Sequence, residues 1–309
     1  MGEPGLNLTA EEITRVKGLG FLNNRGTEKF SARVLTGNTC LTSKELNVLS
    51  EAAERFAEGK VSLTSRQAVE VMGIPYENLE EFAAFIQKNG LLVGGTGDKV
   101  RPVTACKGTV CKFGKIDTHA IAQMAHERFY IGGRERKLPH KFKIGIGGCA
   151  HNCIKPMLND IGLVGSMRPI FHAADCRGCK KCGCEDICPI EAYTKDESGK
   201  RHLNRRKCIQ CGRCGDKCPF KVNAGCETGI RVFVGGTWGK EIRIGKPLRG
   251  LYTQAEAMEL IEGTLQLFET RGLKKERLAK MIERLGFVQF QKDLLNILKE
   301  AKKTNTIHA

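Results

Sequence analysis

Cysteine spacing is the strongest chemical signal in this sequence of 309 residues, fifteen of which are cysteines. Two close pairs, Cys106 with Cys111 and Cys149 with Cys153, together offer four thiols, enough to hold one 4Fe–4S cluster. Structural zinc sites also use paired cysteines and are the alternative. The spacings C-x4-C and C-x3-C differ from the C-x2-C common in zinc sites, and glycines before the second pair would let backbone approach a bulky group closely. The spacing therefore favours an iron–sulfur cluster.

Eight further cysteines form two runs between residues 172 and 222. They are Cys176, Cys179, Cys182, Cys188, Cys208, Cys211, Cys214 and Cys218. The second run is a strict C-x2-C-x2-C-x3-C-P, and in bacterial two-cluster ferredoxins the fourth cysteine of each run ligates the other cluster. We therefore predict one cluster on the first three cysteines of the second run plus Cys188, and another on Cys176, Cys179 and Cys182 plus Cys218. Zinc knuckles are the weaker alternative, because the trailing Cys-Pro pairs are a ferredoxin feature.

Three other cysteines lie outside these sets. Cys184 interrupts the first run, so either Cys182 or Cys184 could be the third ligand there, and the even spacing favours Cys182. Cys40 and Cys226 have no partner at ligand spacing and are predicted to be ordinary buried thiols.

Basic residues at particular spacings could bind an anion. Lys141 and Lys143 flank Phe142, so in a strand both ammonium groups would point to one face. Like charges there repel unless an anion lies between them, although an exposed basic edge that resists aggregation gives the same pattern. Arg33 and Arg66, each taken alone, would be read as solvated surface charge.

One stretch resembles the signature of the siroheme-dependent sulfite and nitrite reductase family. It reads GCAHNC from Gly148 to Cys153, then KP, then LNDIG from Leu158 to Gly162. In that family the last cysteine of the C-x3-C pair bridges the cluster to siroheme iron. The resemblance therefore implies that Cys153 is the bridging thiolate and that Cys106, Cys111 and Cys149 are the other ligands. The family's first pair usually encloses five residues, whereas this one encloses four.

Other segments resemble the family's anion-binding motifs. The sequence LTSRQ at 63–67 is similar to its TTRQ segment, which implies that Arg66 and Gln67 bind siroheme. The sequence LPHKFK at 138–143 is similar to LPRKFK, whose two lysines bind the substrate anion. KVRPVTAC at 99–106 resembles the lead-in to the cluster cysteines, and RVLTG at 33–37 resembles the segment of a substrate arginine. The resemblance thus implies a substrate site of four cations, namely Arg33, Arg101, Lys141 and Lys143, of which Arg101 could contact either the substrate or siroheme.

Apolar periodicity predicts the elements that must position these residues. Helices are expected at 8–17, 43–58, 77–88, 117–128, 253–270, 274–285 and 288–301, and strands at 30–35, 61–63, 141–143 and 229–234. The order of elements predicts an α+β fold that begins with a ferredoxin-like unit. With the resemblance, this gives a ferredoxin-like half-domain at 1–92, a siroheme and 4Fe–4S α+β domain at 93–171 and 223–309, and an inserted two-cluster ferredoxin domain at 172–222.

The resemblance implies the siroheme-dependent six-electron reduction of sulfite to sulfide. Electrons would come from a donor protein or subunit through the ferredoxin clusters, so the expected cofactors are siroheme and three 4Fe–4S clusters. Nitrite reduction to ammonia is the nearest alternative, and a non-catalytic iron–sulfur electron carrier is the alternative of another class. Larger family members carry two repeats of this unit, so an oligomer is expected from a single repeat.

Composition bears on partners and location. The formal charge of +16 would suggest nucleic-acid binding. However, three clusters of roughly −2 and a siroheme with about eight carboxylates would bring the loaded protein near +2, so we expect no nucleic-acid partner. No stretch has the length of a membrane span. The first residues carry no apolar signal region, which predicts a cytoplasmic protein.

Overall fold

The computed structural model describes residues 8–37 and 39–307, which form two sheets covered by helices and one small inserted unit. The first sheet is antiparallel, with strand order β1-β2-β4-β3 and with β5 paired to β2. Its strands are β1 (Phe21–Asn23), β2 (Lys29–Leu35), β3 (Val61–Leu63), β4 (Val69–Pro75) and β5 (Leu92–Val93).

Three helices accompany this sheet: α1 (Ala10–Leu19), α2 (Ser43–Phe56) and α3 (Leu79–Lys88). Thr42 caps α2 in a capping box with Glu45, which satisfies backbone donors at the start of the helix. Phe56 and Phe82 pack edge to face at 5.9 Å, in a core shared with Phe30 of β2. These contacts make residues 8–93 a ferredoxin-like α+β layer with its own core.

The second sheet has the order β12-β11-β8-β7-β6. Its strands are β6 (Thr104–Ala105), β7 (Ile144–Gly147), β8 (Ile161–Phe171), β11 (Asn223–Val234) and β12 (Lys246–Pro247). β6, β7 and β8 run parallel, whereas β8, β11 and β12 are antiparallel. The larger core joins this sheet to α4 (Thr118–Ala125), α6 (Gln254–Arg271), α7 (Leu278–Leu285) and α8 (Phe287–Ile307).

The chain leaves this sheet after β8 and returns at β11, where Phe171 pairs with Asn223. Between them lie α5 (Gly183–Asp186), β9 (Tyr193–Lys195) and β10 (Arg201–Leu203), the last two forming a small hairpin. The buried hydrophobic cluster here contains only Cys184, Tyr193 and Cys214 among the described residues. Such a core is too small to stabilise a unit of this length without further cross-links.

The predicted helices are confirmed, with one late start. The helix expected from Lys274 begins only at Leu278, because Lys275 has a left-handed φ of 66° and Arg277 occupies the N-cap. At 141–143 the structure has an isolated bridge at Phe142 in place of a strand, next to β7. Sequence periodicity missed β1, β4 to β10 and β12, and it predicted only the second half of β11. Within the described residues, no helix is long and apolar enough to cross a membrane.

Candidate functional site

An open cleft of about 1000 Å³ brings together residues from both sheets. Its lining includes four of the sequence-predicted site residues, namely Arg66, Gln67, Lys143 and Cys153. The first two follow β3, Lys143 precedes β7, and Cys153 lies in the loop after β7. The Cys153 thiol is exposed. An exposed cysteine and two half-buried cations therefore line the same cleft.

Arg66 is held rigidly at the base of this cleft. Its guanidinium donates to Asn159 Oδ1 at 2.8 Å and to the carbonyls of Pro102 and Ile144 at 2.6 and 3.2 Å, all of them neutral acceptors. Burial lowers its pKa to about 10, with Arg101 among the cations that add to the shift. Arg66 is therefore a fixed positive charge at neutral pH, and its Nε is buried without a partner.

Gln67 joins the first sheet to the first cysteine pair. Its side-chain amide donates to Ala105 O at 2.8 Å and accepts from Ala105 N at 3.0 Å, directly before Cys106. Its backbone has a left-handed φ of 59°, which is strained for a residue with a side chain. Asn152 and Lys155 adopt the same conformation beside Cys153. Strained residues thus cluster around the cleft.

Lys141 and Lys143 lie on either side of a core residue. Phe142 between them is fully buried and packs 6.2 Å from Phe268, whereas both lysines are half-buried. Burial lowers the pKa of Lys143 to about 8, and the cations Arg66 and Arg277 contribute. The pKa of Lys141 is also lowered, first by burial and then by Arg277 and Arg101.

Arg101 and Arg33 lie beside this pair and share an acceptor. Arg101 donates to Gly95 O at 2.7 Å, and Arg33 reaches the same carbonyl at 3.1 Å. Arg33 also forms a salt bridge with Glu70 at 2.5 Å, so its charge is already paired. Burial is the main cause that lowers the pKa of Arg101, and the positive charge of Arg33 is the second. Arg101 Nε is buried without a partner.

Sequence reasoning missed Arg277, which belongs to the same group. It bonds both carboxylate oxygens of the fully buried Asp160, at 3.0 and 2.9 Å, and its Nε is buried without a partner. Asp160 also accepts from the backbone N of Lys143 at 2.9 Å. No spacing or motif in the sequence analysis pointed to Arg277. Asp160 therefore links the backbone of Lys143 to Arg277 at the start of α7.

The charges in this region do not balance. Six cations, Arg33, Arg66, Arg101, Lys141, Lys143 and Arg277, act on one another or share acceptors, with the carboxylates of Glu70, Asp98 and Asp160 among them. An excess of preorganised positive charge is suited to binding anions. The unpartnered Nε atoms of Arg66, Arg101 and Arg277 fit a polyanionic group such as a carboxylated tetrapyrrole together with a small oxyanion.

The two cysteine pairs converge because of strand order. β6 and β7 are parallel neighbours, and their carboxyl ends lead directly into Cys106 and into Gly148-Cys149. Gly148 N donates to Cys106 Sγ at 3.1 Å, and a Cβ at Gly148 would lie 2.7 Å from the Gly108 Cα. Burial raises the pKa of Cys149, and its three predicted co-ligands add to the rise. The glycine is therefore needed for the close approach of the two loops.

The inserted unit brings its second run beside Cys188. Burial raises the pKa of the Cys208 thiol, and Cys214, Cys211 and Cys188 contribute, which is the set expected for one cluster. Backbone N–H groups point at these sulfurs, as from Ala192 to Cys188 at 3.2 Å. Within residues 8–37 and 39–307, no group of three or more His, Cys, Asp and Glu side chains is placed to hold a single metal ion.

The other cysteines of the unit differ in environment. Cys184 is buried, its sulfur contacts Cys214 O at 3.6 Å, and burial raises its pKa to about 12. Cys182 is half-buried, which is compatible with the sequence preference for Cys182 as a ligand. Cys226 is half-buried beside the Gly212 carbonyl at 3.9 Å.

The expectation that Cys40 is buried is wrong. Its side chain is exposed in the connection between β2 and α2, where the Sγ lies 3.5 Å from His119 Nε2. Connecting segments generally run over the protein surface, and this one ends at Thr42, the N-cap of α2.

Lys155 and Trp238 are two more cleft residues that sequence reasoning left without a role. Both line the cleft, and the Lys155 ammonium lies 5.4 Å from the centre of the Trp238 ring. The indole is half exposed, at 51%. Gly236, two residues before Trp238, lets this segment pass close to Met157, since a Cβ at position 236 would lie 2.2 Å from Met157 O.

Comparison with known proteins agrees with this geometry. The nitrite and sulphite reductase 4Fe-4S domain matches residues 96–302, and the nitrite/sulfite reductase ferredoxin-like half domain matches residues 24–89. A coenzyme F420-dependent sulfite reductase of Methanocaldococcus jannaschii is 31% identical over 83% of this chain and 40% of that protein. The alpha subunit of the dissimilatory-type sulfite reductase of Allochromatium vinosum is 23% identical over 81% of this chain and 65% of that one.

A solved structure shares the fold. The crystal structure of dissimilatory sulfite reductase I aligns with a TM-score of 0.66 and 20% identity, covering 86% of this chain and 69% of that one. The chain spans less than two thirds of the length of the two curated relatives above. Because the two family domains together match most of the described residues in their expected order, the chain belongs to the siroheme-dependent nitrite and sulfite reductase family.

Proposed function

We propose that this chain catalyses the six-electron reduction of sulfite to sulfide, with siroheme as cofactor and with electrons entering through residues 172–222. The observation that carries the proposal is the cleft, which is lined by the exposed Cys153 together with the half-buried cations Arg66 and Lys143. An electron carrier has no need of such an anion pocket. The coarser conclusion, an oxidoreductase of this family, rests on the family domains.

The cleft residues fit the proposed cofactor in chemistry and in charge. When bound, siroheme would supply an iron that binds the substrate and passes electrons to it. Cys153 would hold it through its thiolate, while Arg66, fixed by three neutral acceptors, and Gln67 would face its carboxylates. Cys106, Cys111 and Cys149 would hold the adjoining 4Fe–4S cluster.

The remaining cations would bind and orient the substrate anion. Lys141 and Lys143 would neutralise the oxygens of sulfite, with Arg101 beside them. Lys143 would also move protons, because its pKa of about 8 lets the ammonium donate near neutral pH. Arg33 enters this site with its charge already paired to Glu70, so we expect the smallest effect from its loss.

We further propose that the inserted unit is a ferredoxin with two 4Fe–4S clusters, which makes three in the chain. The grouping of Cys188 with Cys208, Cys211 and Cys214 supports this, because it follows the crosswise ligand sharing of such ferredoxins. A donor protein or subunit would deliver electrons there. We expect an oligomer that works without a nucleic-acid partner and lies in the cytoplasm.

Nitrite is the second candidate substrate. It is also a small anion suited to the same cations, and the matching family domains are named for both substrates. Turnover of both anions by one preparation, compared as kcat/KM, decides between them. A ratio in favour of nitrite would reverse our assignment.

Double replacement of Lys141 and Lys143 by alanine tests the site. We expect kcat/KM for sulfite to fall at least 100-fold, because two charges that face the anion are lost. Cluster reduction by dithionite should persist. The matched control removes two exposed lysines of α8, Lys292 and Lys299, and should keep full activity. Undiminished sulfite turnover in the Lys141/Lys143 variant would refute the assignment.

A further inference from the structure

His151 lies between two of the proposed cluster sites and contacts a residue of each. Its Nδ1 is 3.3 Å from Cys149 Sγ, and its Nε2 is 3.4 Å from Arg213 Nη2 in the inserted unit. Arg213 stands between the predicted ligands Cys211 and Cys214. The imidazole therefore spans the boundary between the second sheet and the inserted unit.

Backbone contacts fix this boundary. Met167 N on β8 donates to Gln210 O at 2.8 Å, and Met167 forms a parallel bridge with Cys211. Gly212, with a φ of +74°, lies so close that a Cβ there would be 2.6 Å from the Met167 Cβ. An open cleft of about 810 Å³ beside it is lined by both Cys149 and Cys211. A cysteine from each proposed cluster site therefore lines one cleft at this junction.

The hydrogen-bond partners determine which imidazole nitrogen carries the proton. An arginine guanidinium can only donate, so His151 Nε2 must accept from Arg213. The neutral ring then carries its proton on Nδ1, which faces Cys149 Sγ. Phe113 packs against the ring with centroids 4.6 Å apart and holds its plane. The geometry therefore makes His151 a donor to the cysteine sulfur.

We infer that His151 tunes the cluster held by Cys149, with Arg213 fixing the donating tautomer. An N–H bond to a ligating sulfur stabilises the more negative, reduced cluster and so raises its reduction potential. A higher potential at this cluster favours movement of an electron towards it from the inserted unit. His151 is a positioning residue in this account, which rests on the proposed cluster assignments.

Replacement of His151 by phenylalanine removes the N–H and keeps a ring against Phe113. Redox titration of the purified chain, followed by electron paramagnetic resonance, should show one cluster potential lowered and the others unchanged. We expect about a tenfold change in the reduction equilibrium, which corresponds to ~59 mV for one electron. His151→Gln, which can keep an N–H donor, should restore most of the shift.

Arg213→Met should lower the same potential by less, because the ring could then turn its proton away from the sulfur. The double variant should match His151→Phe alone, since Arg213 acts through His151. Arg177→Met is the matched control, because Arg177 packs over Phe220 elsewhere in the inserted unit. It should leave the potential of the cluster at Cys149 unchanged.

Unchanged potentials in His151→Phe with a full iron content would overturn the inference. If that variant fails to assemble its clusters, an unshifted potential in Arg213→Met does so instead. The titration needs no sulfite turnover. A preparation that shows the shift but binds no siroheme would therefore contradict the proposed function and leave the inference standing.

Discussion

In the proposed site, Lys143 binds the substrate anion although its own positive charge is easily lost. Its pKa lies at about 8 because burial and the neighbouring cations Arg66 and Arg277 disfavour the ammonium. Below that pH the cation is present, and above it the charge disappears. We therefore predict that kcat/KM for sulfite falls as the pH rises through about 8 in the free enzyme.

Lys143→Arg is the check on this prediction. Arginine stays protonated throughout the range, so this limb of the profile should flatten even where the absolute rate is lower. In the wild type, the bound anion favours the charged lysine, so the same limb in kcat should lie at higher pH. A limb near pH 8 that persists in Lys143→Arg would assign it to another group.

Replacement of Asp160 should lower the free energy of unfolding. Asp160→Asn leaves the half-buried guanidinium of Arg277 without its carboxylate partner, among other cations. Breaking a buried pair from one side costs about 3–5 kcal/mol of unfolding free energy, measurable by chemical denaturation under anaerobic conditions.

The exposed pair Arg55–Glu81 gives the matched control. Both of its side chains are more than half exposed, so Glu81→Gln should cost less than about 1 kcal/mol. Equal losses in Asp160→Asn and Glu81→Gln would show that the buried pair has no special role.

Residues with a distinctive spacing could be named as candidates from the sequence alone. The cysteine runs and the two lysines at 141 and 143 are of this kind, although Cys40 was placed wrongly. Arg277 and Lys155 could not be found this way. Arg277 belongs to the site because it pairs with Asp160, which lies 117 positions away in the chain. Lys155 was noticed only because its ammonium lies beside the Trp238 ring.

At the scale of elements, the order of strands explains the convergence of the first four thiols. Periodicity predicted helices well, because each has a long apolar face, but it did not show that β6 and β7 are parallel neighbours. β6 contains only two residues, too few to carry a pattern. The strand pairing that brings Cys106 near Cys149 could therefore not be predicted from the sequence.

The inserted unit should depend on its clusters for folding. Its described apolar core consists of Cys184, Tyr193 and Cys214 with a few half-buried neighbours, so metal binding must supply much of its stability. We predict that Cys208→Ser loses about four irons and becomes sensitive to proteolysis within residues 172–222. Mass spectrometry of the fragments locates the cleavage.

Cys226→Ser is the matched control, because Cys226 lies beside the same thiols but is not a predicted ligand. It should retain its iron and its protease resistance. A Cys208→Ser protein with full iron and an intact 172–222 segment would contradict the two-cluster assignment.

At the scale of the whole molecule, the positive charge of the inserted unit should favour an acidic electron-donor protein. Residues 172–222 contain twelve lysines and arginines against seven carboxylates. Lys180 and Lys181, beside predicted ligands, are exposed. We predict that Lys180→Glu with Lys181→Glu lowers kcat/KM for an acidic ferredoxin donor about tenfold at low salt.

High salt should remove most of that difference, because exposed charges are screened. The control reverses the charge of Lys292 and Lys299 on α8, far along the chain from the cysteine runs, and should not affect the donor. Equal kinetics for the two variants at low salt would place electron entry elsewhere.

The visible spectrum of anaerobically purified protein, with iron and acid-labile sulfide counted on the same sample, tests the central claim most directly. The account predicts the bands of siroheme together with about twelve cluster irons. Broad iron–sulfur absorption without macrocycle bands, in a host that makes siroheme, would contradict it and favour an electron carrier.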